Sequence, residues 1–97
     1  MIYLLSSKYH IKDRIYIIGK AVDLKIRLST YDKSCEHNVV YYKECNDEDE
    51  MDLIEKNVLL KLNKYREVAN RDRFILPIEN DISLFTNIIN DAIIFFK

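Results

Sequence analysis

Arg14-Ile15-Tyr16-Ile17-Ile18-Gly19 is the stretch whose reading decides the fold. Residues 15–18 are all β-branched or aromatic, which suits a pleated strand better than a helix. Gly19 stops the run and is the single glycine among 97 residues, so it marks a backbone position with a special requirement. Ile15, Ile17 and Ile18 do not alternate with polar residues, and the strand therefore reads as central and covered on both faces. Upstream, Ile2-Tyr3-Leu4-Leu5-Ser6 is a second short apolar run, and polar residues 7–12 connect the two. Two such runs with a short polar link predict an antiparallel hairpin.

Working outward, Asp23 suits the N-cap of a helix running to about Asp32. On a wheel of 3.6 residues per turn, Leu24, Leu28 and Tyr31 share one face, and Arg27 lies on it too. A cation on that side is costly unless its stem follows apolar surface and its head reaches a partner or a cleft. Residues 38–44 read as a third strand. The acidic run Asn46-Asp47-Glu48-Asp49-Glu50 suits a helix N-terminus, with Asp47 and Glu50 spaced as in a capping box. That helix extends to about Tyr65, with Met51, Ile54, Val58, Leu62 and Tyr65 as its apolar stripe. Glu55 sits at the edge of the stripe, a second charge turned towards a protected surface. Residues 66–73 form a basic connection, and Phe74-Ile75-Leu76 before Pro77 reads as a candidate edge strand. Asn80 or Asp81 then caps a last helix whose apolar face holds Ile82, Phe85, Ile88, Ile89, Ala92 and Phe96. The order β-β-α-β-α plus a C-terminal helix predicts an α/β domain, a small, mainly antiparallel, three-stranded sheet flanked by helices.

The length fits one domain over residues 1–97, and an apolar fraction of 48% can offset the entropy of ordering it. No apolar run approaches the roughly 20 residues that span a bilayer, and no signal peptide is recognisable, so no membrane partner is expected. Cys35 and Cys45 do not make a spaced disulfide framework, which points to an intracellular chain with reduced thiols. Cys35, His37 and Cys45 also lack the spacings of a zinc site. Net charge is −1, yet it is unevenly spread: residues 1–33 carry +4, 34–55 carry −7, 56–73 carry +4, and the remainder −2. Two basic segments can meet phosphates if the fold unites them; otherwise they are ordinary solvated charge.

The order hairpin, helix, strand, helix, with particular residues on it, resembles the GIY-YIG endonuclease superfamily, in particular its phage and large-DNA-virus branch. Met1-Ile2-Tyr3 stands where that family has Gly-Ile-Tyr, and Tyr16-Ile17-Ile18-Gly19 where it has Tyr-x-Gly, with the tyrosine one residue early. Arg27 follows Gly19 by the family's eight residues, Tyr31 follows Arg27 by one helical turn, and Glu55 matches the family's glutamate. Asn70-Arg71-Asp72-Arg73-Phe74 is similar to an Asn-Arg-acid-x-Phe segment of the viral branch. The likeness covers about residues 2–76, so residues 1–77 correspond to the family core and 78–97 to an additional helix.

The resemblance implies metal-assisted hydrolysis of a DNA phosphodiester. Glu55 would be the protein ligand of one Mg²⁺ or Mn²⁺, because such a cation binds through one or two carboxylates and keeps several waters. Arg27 would clamp the phosphate with its planar fork. Tyr3, Tyr16 and Tyr31 are the tyrosines implied in water activation. A phenol near its reference pKa of ~10 is a poor base, so Lys20 and Arg27 would supply a supporting positive field. Side chains alternate along a strand, so Tyr16 reaches the site only if a bulge re-aims it; otherwise it belongs to the core. Lys20, Lys25, Asn70, Arg71 and Arg73 are the candidate nucleic-acid contacts. Small modules of this kind usually work beside an appended DNA-binding domain in a longer chain. Two other readings stay open: a non-cutting nucleic-acid-binding module of the same fold, and a protein-interaction domain, including a homodimer, that uses the Ile/Phe-rich last helix.

Overall fold

Four strands, one more than expected, pair antiparallel in the order β3-β1-β2-β4. They are β1 (Ile2–Ser7), β2 (Ile15–Lys20), β3 (His37–Lys43) and β4 (Arg73–Ile75). The helices are α1 (Leu24–Tyr31), α2 (Glu48–Leu62) and α3 (Ser83–Phe95). This computed structural model describes residues 1–7, 10–33, 36–45, 47–67 and 73–96.

The fourth strand corrects the three-stranded expectation, and its cause is hydrogen bonding. Without β4, the outer side of β2 would carry unpaired backbone groups beside a buried core. Arg73, Phe74 and Ile75 pair with Ile17, Tyr16 and Ile15, which closes that side. The candidate edge strand at residues 74–76 is thus a real one, shifted by one residue.

Alternation along β1 and β2 sorts the core into two layers. Ile2, Leu4, Tyr16 and Ile18 face α2 and α3, where they meet Met51, Ile54, Val58, Leu62, Phe85, Ile89, Ala92 and Ile93. Tyr3, Leu5 and Ile17 face the other way and pack under Leu24, Leu28 and Tyr31 of α1. This two-sided cover explains why all six residues of β1 are buried, and why β2 shows an apolar run rather than alternation. The buried hydroxyls are paired: Ser6 Oγ donates to the Ile15 carbonyl, and Ser7 Oγ accepts from the His10 amide.

The helix starts follow their caps. Asp23 accepts from the Ile26 amide at 3.2 Å, and Asp47 accepts from the Glu50 amide at 2.7 Å. α2 ends at Leu62, and a single 3-10 turn completes the path to Tyr65. α3 begins at Ser83, slightly later than expected, although Asp81 does accept from the Ser83 amide. Arg14 holds a left-handed backbone (φ 58°) at the end of the hairpin link. Its side chain donates to the carbonyls of Leu76 and Pro77, which fastens the hairpin to the approach to α3. No helix among the described residues is long and apolar enough to cross a membrane.

Phe85 is fully buried in the layer under α2 and α3, edge-on to Tyr16 with ring centroids 5.9 Å apart. Phe85→Ala is expected to lower unfolding free energy by about 3–5 kcal/mol, whereas Ile94→Ala, at an exposed position, changes it by less than about 0.5. Urea denaturation followed by circular dichroism checks both values.

Candidate functional site

β4 pairs with β2 only along residues 15–17. Among the described residues, no strand continues along the outer side of residues 18–20. At that end of β2, α1 lies on one face of the sheet and α2 on the other, and side chains from both reach a shared cleft. The cleft encloses about 270 Å³ and is lined by Tyr3, Ile18, Gly19, Lys20, Arg27, Tyr31, Glu55 and Leu59.

Gly19 is opposite Tyr3 in the β1–β2 register, and the tyrosine ring lies directly over it. A Cβ at position 19 would stand 2.5 Å from Tyr3 Oη and 2.7 Å from its Cζ. Glycine is needed here for close approach rather than for an unusual backbone conformation, since its φ is not positive. Seated there, the Tyr3 hydroxyl lies 3.3 Å from the Tyr31 hydroxyl, with the two rings edge-on at 6.4 Å. Tyr31 comes from the last turn of α1, and Arg27 stands one turn before it on the same face.

Glu55 enters from α2 with its side chain 20% exposed. Lys20 Nζ lies 3.6 Å from Glu55 Oε1 and 2.5 Å from Asp52 Oδ1, one turn earlier on α2. The hydrogen bond to Asp52, reinforced by the charge of Glu55, pushes the Lys20 pKa up, so the lysine stays cationic. Lys20 is thus spoken for by two carboxylates, Asp52 and Glu55, and Arg27 is the cation of the cleft lining that stands apart from that group. A cation so placed suits a singly charged phosphodiester.

The donor set can be tested against a divalent metal. Among the described residues there is no group of three or more His, Cys, Asp or Glu that could cage an ion. A metal that requires an all-protein cage does not fit. A hard cation that keeps most of its waters does fit, with Glu55 as its carboxylate.

Five residues singled out in the sequence therefore meet in this cleft: Tyr3, Lys20, Arg27, Tyr31 and Glu55. Tyr16 does not. It is buried against Phe85 on the opposite face of the sheet, where strand alternation puts it in the absence of a bulge in β2, and its role is packing. Lys25 lines a different groove, between α1 and the outer strand β3. Arg73 opens β4 opposite Ile17, outside the cleft. Asn70 and Arg71 lie outside the described residues. Arg27 keeps its head exposed, so the helical wheel placed it correctly beside Tyr31 but overstated its burial.

His37 is a neighbour that the sequence reading missed. It is buried, its ring lies 5.4 Å from the Tyr31 ring, and its Nδ1 is 3.7 Å from Asp32 Oδ1. Its place at the start of β3, just after α1, offered no periodic signal.

None of the family models, curated proteins or solved structures compared with this chain matches it.

Gly19→Ala is expected to cost about 1–3 kcal/mol by overpacking against Tyr3. In a Tyr3→Leu background, which lacks the obstructing ring end, the same change should cost at least about 1 kcal/mol less. A double-mutant cycle in urea reads this coupling, and additive effects would contradict the contact.

Proposed function

We propose that this chain is a GIY-YIG-type endonuclease that hydrolyses DNA phosphodiester bonds with the help of one divalent cation. The observation that supports the reading is the convergence of Tyr3, Gly19, Arg27, Tyr31 and Glu55 in one cleft. These residues are spread over 53 positions and three kinds of placement: a strand pair, a helix on one face and a helix on the other. The resemblance in sequence and the cleft in space use the same side chains.

In this reading Glu55 holds Mg²⁺ or Mn²⁺, and the cation, when bound, neutralises charge on the phosphate and the leaving oxygen. Arg27 grips the non-bridging phosphate oxygens through its planar fork and stabilises the charge that builds on them in the transition state. Tyr3 and Tyr31 bring their hydroxyls together at the cleft, where either would orient an attacking water. The water oxygen bonds to phosphorus as the bond to the leaving oxygen breaks, and the water's proton passes out through the phenol pair or solvent. Lys20 balances Glu55 before a metal arrives and can remain on Asp52 afterwards.

A second reading, a module of this fold that binds nucleic acid without cutting it, is favoured by one observation. Lys20 already stands beside Glu55, the only carboxylate lining the cleft among the described residues. In that case nucleic acid binds, with affinity falling steeply as salt rises, and Mg²⁺ or Mn²⁺ induces no strand cleavage.

Purified protein with Mn²⁺ or Mg²⁺ is expected to nick plasmid DNA, and a chelator should abolish the activity. Glu55→Ala and Arg27→Ala should each reduce the rate by about 100-fold or more without altering the circular dichroism spectrum. Wild-type cleavage by Glu55→Ala would contradict the metal role, and wild-type cleavage by Arg27→Lys would contradict the fork geometry.

A further inference from the structure

α2 carries a second concave surface directly beside the cleft. It encloses about 390 Å³ and is lined by Lys56, Leu59, Leu60, Asn63 and Arg66. Its volume is within the range of small-ligand sites, which begins at roughly 300 Å³. Lys56, Leu59, Leu60 and Asn63 follow the spacing i, i+3, i+4, i+7, so they form one continuous stripe along the outer side of the helix.

The composition of this stripe is unusual for a solvent-facing helix surface, where polar residues are expected. Leu60 is 78% exposed, and Leu59 beside it is only partly covered. Two cations flank the leucines, and among the described residues no carboxylate lines the groove. Arg66 is held in place by its guanidinium, 5.5 Å from the centroid of the Phe74 ring, and its buried Nε has no hydrogen-bond partner among the described residues.

Leu59 joins the two surfaces, since it lines the groove and the cleft alike. A polymer whose phosphate sits at Arg27 and Glu55 would, on leaving the cleft along α2, cross Leu59 and enter the groove. One helical turn advances about 5.4 Å, so the two surfaces are neighbours along α2. An apolar patch with a cationic rim is the form of a site that takes a base on its face and a phosphate at its edge.

We infer that this groove is a nucleotide subsite: Leu59 and Leu60 take the base next to the scissile phosphate, and Lys56 and Arg66 take the adjoining phosphate. Asn63 offers a donor and an acceptor to the base edge. The base must be free of its partner strand to lie flat on the leucines, so the substrate class is a strand with an unpaired nucleotide beside the cut. The inference rests on the nucleic-acid reading of the cleft, but its test does not require cutting.

The test is a methyl and amide NMR titration of the whole chain with 5′-phosphorylated thymidine dinucleotide. The Leu59 and Leu60 methyl signals are expected to move together with signals of the cleft. Lys56→Glu should weaken binding about tenfold, and Leu60→Asn about fivefold. The same charge reversal at Lys12, an exposed residue that lines neither cavity, should change it less than about twofold. Methyl shifts confined to the cleft would overturn the subsite, as would equal weakening by Lys56→Glu and Lys12→Glu. Glu55→Ala should leave the leucine shifts in place. A Glu55→Ala protein that still cuts DNA would defeat the metal assignment alone, whereas motionless leucine signals would defeat the subsite alone.

Discussion

The contact between the Tyr3 ring and the Gly19 backbone is the constraint on which the site depends. It exists because the two residues are register partners in the central hairpin, and because position 19 has no Cβ. Any other residue there would push the phenol aside. The ring's place over the strand brings the Tyr3 hydroxyl to Tyr31, and Tyr31 in turn fixes which turn of α1 faces the cleft. Arg27, one turn earlier, follows from the same helix phase. A single missing methyl group thus sets the geometry of three side chains.

The sheet gives this contact a rigid setting. β1 and β2 are buried on both faces, so the hairpin has little freedom to slip, and a slip of one residue would invert every side chain. β4 closes the outer side of β2 only partway, and the cleft lies beyond the point where pairing stops. There α1 and α2, on opposite faces, come close enough to share a cavity. Charge is arranged accordingly: Lys20 at the strand end is shared between Asp52 and Glu55 on α2, while Arg27 remains at the exposed rim.

Much of this was legible in the residues. The apolar run ending in Gly19 gave a two-sided strand, and Asp23 and Asp47 marked helix starts that the structure keeps. Helix phase was enough to put Arg27 beside Tyr31, and Glu55 at the edge of its stripe. What sequence periodicity leaves open is the choice between faces of a sheet. Alternation says that Tyr3 and Ile17 are separated from Tyr16, but not that the cleft opens at the Gly19 end of β2 and takes Tyr3 from one face and Ile18 from the other. β4 was ambiguous because three residues carry little propensity and their partner lies more than fifty residues away. His37 was silent for a related reason, since the rings beside it, Tyr31 and His10, come from elsewhere in the chain. On α2, Leu59 packs at the edge of the core and Leu60 beside it is exposed, a difference that helix periodicity alone does not announce.

The proposed role of Glu55 as ligand of a divalent cation in this cleft can be read from paramagnetic broadening by Mn²⁺. Amide signals of Glu55, Gly19 and Lys20 should broaden first at substoichiometric metal, and Glu55→Gln should abolish the effect. Broadening centred instead on Glu48, Asp49 and Glu50 at the start of α2, unchanged by Glu55→Gln, would contradict the account.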